Sequence, residues 1–305
     1  MLPMTPDFVR RKSGLLEPSR RLVRPRLCSM FGYHVLGFGA GGGAIGFRAD
    51  LIALGLTTGL QVCLDAGAID SVGSASQTTW NDQAPNAYHL YRGADGTATT
   101  DDPTHNGTPG ALTSSEYWSL DGGDFFRLNQ SNPSAFNDWH KNNAAFTFLV
   151  WMYPQSSGGS LRGIIGNNAD NTSNVGVLWS LRGSNEHSFE MYNGGSRDIQ
   201  RIADATVSTG AWTMLGVSWD EAGSTGFLYK NGNYDQVSAS NTFSAAYSAP
   251  SSSSATYTTE LGASGNAANK MPSSTRFAGL MIWSTALSKA SIDTVWNRQK
   301  TRFGL

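Results

Sequence analysis

The chain has 305 residues, a formal net charge of −1 and only 15% charged side chains, against 35 glycines. Near-neutral charge argues against nucleic acid as the main partner of the folded part, and no run reaches the ~18 uninterrupted apolar residues that suggest a membrane span. Two cysteines, Cys28 and Cys63, are too few for a disulfide framework, and no secretory signal is evident at the basic start.

Residues 1–29 stand apart. Arg10, Arg11, Lys12, Arg20, Arg21, Arg24 and Arg26 face only Asp7 and Glu17, and four prolines interrupt the segment. This reads as a disordered arm or an over-extended start with initiation at Met30, or as a basic arm that orders against an acidic partner in an assembly. Residues 30–57 are apolar, aromatic and rich in glycine. GAGGG lacks the Gly-Lys-Ser/Thr ending of a phosphate loop. The segment reads instead as an anchor, with Phe31, Tyr33, His34, Val35, Leu36 and Phe38 as candidate docking residues.

From residue 58 to 286 the pattern is about eight short strands separated by Gly, Asn and Ser turns. GLQVCLDAG starts the series and makes Cys63 a small core residue. Ala94–Gly110 reads as a surface loop, and Asn132–Asn143 as a loop with one helical turn. Ala145–Pro154 is the clearest strand: Phe146, Phe148, Val150 and Met152 alternate with Thr147, Leu149, Trp151 and Tyr153. Both faces are largely apolar, which suits a sheet covered on both sides. Strands follow at Val175–Leu181, Ser188–Tyr192, Asp198–Ala203, Trp212–Trp219, Gly226–Lys230 and Arg276–Trp283, with Asn231-Gly232 as a two-residue hairpin signal. Ser288 then caps a short helix over Lys289–Lys300, with Ile292, Val295 and Trp296 on one face. The fold expected is all-β, a two-sheet antiparallel jelly-roll sandwich over 58–305 with a C-terminal helix.

Three runs carry a family resemblance: GLQVCLDAGAID with TTWND and EYWSLDGGDFF; AFTFLVWMYP; and WTMLGVSWD, GFLYKNGN and FAGLMIWSTALSKASIDTVW. Their order resembles the laminin-G-like group of the concanavalin A-like lectin/glucanase fold. The module is also similar to ones in tailed-bacteriophage structural proteins, where it follows Gly-rich segments like FGYHVLGFGAGGG. The resemblance implies a virion protein assembled in the host cytoplasm: a capsid decoration, head fibre or tail component. Other virion proteins, further copies of itself and host-surface glycans are the partners it implies. A free carbohydrate-binding lectin is the alternative.

The same fold houses glycoside hydrolases, which need paired carboxylates. Glu186 and Glu190 have the outer spacing of the glucanase motif, but Ser188 stands where an aspartate belongs. They read as solvated residues on a hairpin. The histidines are scattered and no nucleophile elbow appears, so no enzyme and no required cofactor are expected. Related modules hold calcium at a rim, which makes Asp121 with Asp124, or Asp65 with Asp82, weak candidates; the same residues also make ordinary turns. For sugar, Asn137, Asp138, Trp139 and His140 form one loop cluster, in which Trp139 reads as core or as ligand contact, and Asn167, Asn168 and Asp170 form another. A sugar site built from both would need them at the same end of the sandwich.

Overall fold

The computed structural model describes residues 46–74, 77–235, 243–244 and 251–305. The basic arm, Cys28 and the docking candidates Phe31 to Phe38 lie outside the described residues. Among the described residues the strands are β1 (Leu60–Asp65), β2 (Thr79–Trp80), β3 (Leu90–Arg92), β4 (Thr104–Asn106), β5 (Tyr117–Ser119), β6 (Phe126–Leu128), β7 (Ala145–Tyr153), β8 (Arg162–Gly166) and β9 (Val175–Leu181). They continue as β10 (Glu186–Asn193), β11 (Arg197–Thr206), β12 (Thr213–Asp220), β13 (Thr225–Lys230), β14 (Asn233–Asp235), β15 (Phe243–Ser244), β16 (Glu260–Leu261) and β17 (Arg276–Trp283).

The first sheet runs β14-β13-β12-β7-β17-β5-β4, with β1 also on β17 and β15 on β13. The second runs β11-β10-β9-β8-β16-β6-β3-β2. β7 lies centrally, bonded to β12 and β17, both antiparallel. Its inward residues Phe146, Phe148, Val150 and Met152 meet Val177, Trp179, Phe189 and Met191 of the second sheet in the main core. The Asn231-Gly232 turn has φ of +48° and +87°, the left-handed pair that a two-residue hairpin requires. β4 falls inside the stretch expected to be wholly loop.

A second core covers the other face of the first sheet. Cys63, Leu149, Trp151, Met214, Tyr229, Met281 and Trp283 point there. Helix α4 (Lys289–Gln299) and the following 3-10 turn cover them with Ile292, Val295 and Phe303. Ser288 caps α4 by accepting from Ser291 N at 3.2 Å. Trp151 stacks on Phe303 at 4.0 Å and donates from Nε1 to Gln299 Oε1 at 2.7 Å.

The domain boundary differs from the sequence reading. Residues 46–57 were expected in the anchor, yet α1 (Gly46–Ala53) packs on this second core through Phe47 and Leu51. Phe47 N donates to Asp65 Oδ2 at 2.9 Å. A Cβ on Gly46 would come within 2.1 Å of that oxygen, so only glycine fits there. The sandwich domain therefore begins by Gly46 rather than at residue 58. Among the described residues no helix is long and apolar enough to cross a membrane.

Candidate functional site

The loops 132–143, 167–174 and 251–257 meet at one end of the sandwich. Asn132 Nδ2 donates to Tyr257 O at 2.7 Å, Asn167 Nδ2 to Phe136 O at 3.2 Å, and Ala255 N to Asn137 Oδ1 at 3.0 Å. The two sequence-derived clusters do come together, but most of their polar groups are already bonded within the protein.

Trp139 corrects the idea of an exposed aromatic platform. It is 3% exposed and its ring lies 4.7 Å from both Phe136 and Phe148, inside the main core. His140 is buried and bonds Ser253 O through Nε2 at 2.8 Å; burial lowers its pKa, which keeps the imidazole neutral. Asn167 Oδ1 accepts from Val177 N at 2.8 Å. Asn168 closes the 168–174 turn, accepting from Asn171 N and donating to Asn171 O and Asn174 O. Asn137 is half-buried, which leaves Asp138 and Asp170 as the exposed members. Asp138 pairs with Lys141 at 3.0 Å.

Asp170 leads to a site that sequence reasoning missed. On β10, Phe189 and Met191 face the core, so Ser188, Glu190 and Tyr192 face outward. Gln200 of β11 and Leu178 of β9 flank Glu190 across the sheet. Glu190 has no exposed surface, contrary to the solvated hairpin expected of it; Glu186 alone stays half-buried at the turn. Burial is possible because its carboxylate is saturated with donors. Arg182 Nη1 lies at 2.6 Å, Arg197 Nη1 at 3.2 Å, Gln200 Nε2 at 3.1 Å and Ser188 Oγ at 3.3 Å, and the Tyr192 hydroxyl also donates to it. Tyr192 Oη also bonds Asp170 Oδ1 at 2.7 Å. Burial, then the Glu190 charge, pushes the Tyr192 pKa well above its ordinary value, so the hydroxyl stays a donor. The two arginine side chains are 30% and 38% exposed, so the network begins on a buried anion and ends on two partly exposed arginines.

Each carboxylate considered for calcium accepts hydrogen bonds within the protein. Asp121 N donates to Asp124 Oδ2 at 2.9 Å and Gly123 N to Asp121 Oδ1 at 2.7 Å, which closes a turn. Asp65 is bound by Arg302 at 2.8 and 3.0 Å, and Asp82 by the N–H groups of Cys63, Ala84 and Tyr88. Among the described residues no three His, Cys, Asp or Glu side chains form a metal-binding group.

Residues 120–293 match a laminin G family model of the concanavalin A-like lectin/glucanases superfamily. Among solved structures, the chain is similar to the botulinum neurotoxin serotype D binding domain, at 14% identity and a TM-score of 0.56, covering 82% of this chain and 53% of that one. It is similar to the binding domain of botulinum neurotoxin DC in complex with SialylT, at 11% identity and 0.54, covering 79% and 52%. It is also similar to Trypanosoma rangeli sialidase in complex with 2,3-difluorosialic acid, at 11% and 0.51, covering 80% and 33%. The chain thus spans about half of the toxin domains and a third of the sialidase. Identities this low show a shared fold alone. No curated protein sequence matches the chain.

Proposed function

The chain belongs to the concanavalin A-like lectin/glucanases superfamily, and from that premise we propose a non-catalytic contact module that holds saccharides on the outer face of its second sheet. The Glu190 network carries this reading. A guanidinium has five N–H donors; Arg182 and Arg197 each spend Nη1 on Glu190, Arg197 also bonds Tyr192, and the N–H groups left over are the ones a ligand would take. Their buried carboxylate partner fixes both in advance, which lowers the ordering cost of binding a hydroxyl-rich molecule. The ligands named with the botulinum neurotoxin DC binding domain and the sialidase are consistent with it.

Catalysis is disfavoured by the same geometry. A glycosidase needs a second carboxyl about 5–9.5 Å away. Asp170 meets that spacing, because it shares the Tyr192 hydroxyl with Glu190, but the Glu190 carboxylate is buried and already taken by Arg182, Arg197, Gln200, Ser188 and Tyr192. The other buried glutamate on that face, Glu260, sits three strands from Glu190 in the order β10-β9-β8-β16, roughly 14 Å at ~4.8 Å per strand. It is also claimed by Arg127 at 2.6 Å.

The test is a glycan array with the full chain, followed by titration of the best ligand. Arg197→Ala and Arg182→Ala should each weaken binding about tenfold or more. Silence of the wild type across the array, or full binding by both variants, would sink the reading. Cleavage of the bound glycan, lost in Glu190→Gln, would establish a glycosidase instead.

The proposal extends to a place: a bacteriophage particle assembled in the host cytoplasm, with the sandwich displayed by docking through Phe31, Tyr33, His34, Val35, Leu36 and Phe38. The Gly-rich wording FGYHVLGFGAGGG supports it. Sedimentation should show the full chain assembling and the triple variant Phe31→Ser, Val35→Ser, Phe38→Ser remaining monomeric. A monomeric wild type would remove the docking part and leave saccharide binding standing.

A further inference from the structure

We propose a second saccharide subsite on the outer face of the first sheet, in a cavity of about 240 Å³ lined by Ser218, Asp220, Thr225, Phe227, Leu287 and Ser288. It uses no residue of the Glu190 network and goes beyond that reading. The cavity forms where the β12–β13 hairpin meets the strap 284–288 that leads into α4.

Its walls are pinned. Ser218 Oγ donates to Leu287 O at 2.8 Å, Leu287 N to Thr147 Oγ1 at 2.8 Å, and Thr147 Oγ1 to Thr285 O at 2.9 Å. Asp220 pairs across the hairpin with Thr225, and its Oδ1 accepts from Gly223 N at 3.3 Å. Its Oδ2 accepts no hydrogen bond from the described residues. A Cβ on Gly223 would stand 2.9 Å from that oxygen, so glycine leaves it uncrowded. Thr225, Ala286 and Ser288 are exposed and form the mouth.

The lining selects a ligand class. Phe227 and Leu287 offer an apolar wall, while Asp220, Thr225 and Ser288 offer oxygens; a pyranose has one apolar C–H face and a rim of hydroxyls. One carboxylate and no cation in the lining disfavour an anion. The volume is below the ~300–1,000 Å³ of drug-sized sites and suits one sugar ring.

The experiment titrates the full chain with methyl β-D-glucopyranoside, methyl β-D-galactopyranoside and methyl N-acetyl-β-D-glucosaminide, read by saturation-transfer NMR and calorimetry. At least one should bind. Thr225→Trp and Ala286→Trp fill the cavity from opposite walls at exposed positions, and each should weaken binding about tenfold or more. Asp220→Asn should weaken it by a similar factor through loss of a charge-assisted hydrogen bond. Arg197→Ala should leave this binding unchanged. Wild-type binding by both tryptophan variants, no binding of any of the three sugars, or stronger binding of tetramethylammonium would overturn the subsite. Loss in Arg197→Ala alone would place the sugar on the Glu190 face, overturning the subsite and leaving the earlier reading intact.

Discussion

The outer faces of the two sheets obey the same period-two rule and end in opposite states. On β7 the outward residues include Leu149 and Trp151, and the chain covers them with α1, α4 and Phe303. On β10 they are Ser188, Glu190 and Tyr192, which satisfy one another and the arginines alongside. An apolar outward row must find a protein cover to leave water. A polar outward row can be buried only by internal pairing, and that pairing needs donors from neighbouring strands. Among the described residues no helix covers the outward row of β10, and its carboxylate is matched by the arginines alongside.

The largest expected effect sits under the helices. Trp151→Ala removes the stack on Phe303 and the bond to Gln299. It should cost about 3–5 kcal/mol in chemical denaturation, the range for large core truncations. A loss under ~1 kcal/mol would mean that α4 is only loosely attached and that the two faces differ less than claimed.

Glu190→Gln probes the other face. Breaking a fully buried ion pair costs about 3–5 kcal/mol. Arg182 and Arg197 are about a third exposed, so water takes over part of their loss, and about 2 kcal/mol is expected. Arg197→Ala should cost less stability than Glu190→Gln and more affinity. The reverse order would make the network a structural brace with no part in binding.

Much of the covered face was legible in the sequence. AFTFLVWMYP, WTMLGVSW and RFAGLMIW have apolar residues at every second position, and the Ser288 cap announces α4. The polar face was not legible, because its bonds join residues brought together by strand register. Glu190 lies between two irregularities in the β10–β11 pairing, and the one between Met191 and Tyr192 sets its register against Gln200 and Arg197, which sequence spacing does not reveal. Trp139 misled through its polar neighbours Asn137, Asp138 and His140. Phe136, three residues earlier in the short helix that leads to it, was the signal that it faces the core. The cavity at Asp220 joins positions some 70 residues apart and leaves no local trace.

A third region, where the chain crosses from β1 to β2 and β3, should respond to pH. Burial pushes the Asp82 carboxyl up to about 6, although three backbone N–H groups oppose the shift. Its folded pKa exceeds its unfolded value, so the protonated form favours the folded state. The ionised form costs stability at neutral pH, and that cost fades as pH falls through 6. Relative to Asp82→Asn, the wild type should gain roughly 1 kcal/mol between pH 7 and pH 5. A flat difference would show that the three N–H bonds fully offset the burial.

The smallest effect tests what holds α1 to the helix-covered face. Asp50 pairs with Arg298 at 2.8 Å, but the arginine side chain is 56% exposed. A pair so open to water is worth about 0–1 kcal/mol, and Asp50→Asn should cost under ~0.5 kcal/mol. Phe47→Ala, in the same helix, should cost several times more, because Phe47 is 1% exposed and lies against Phe303 at 6.3 Å. If Asp50→Asn proved the costlier of the two, charge rather than apolar cover would fasten the helix. The contrast between the two outer faces would then disappear.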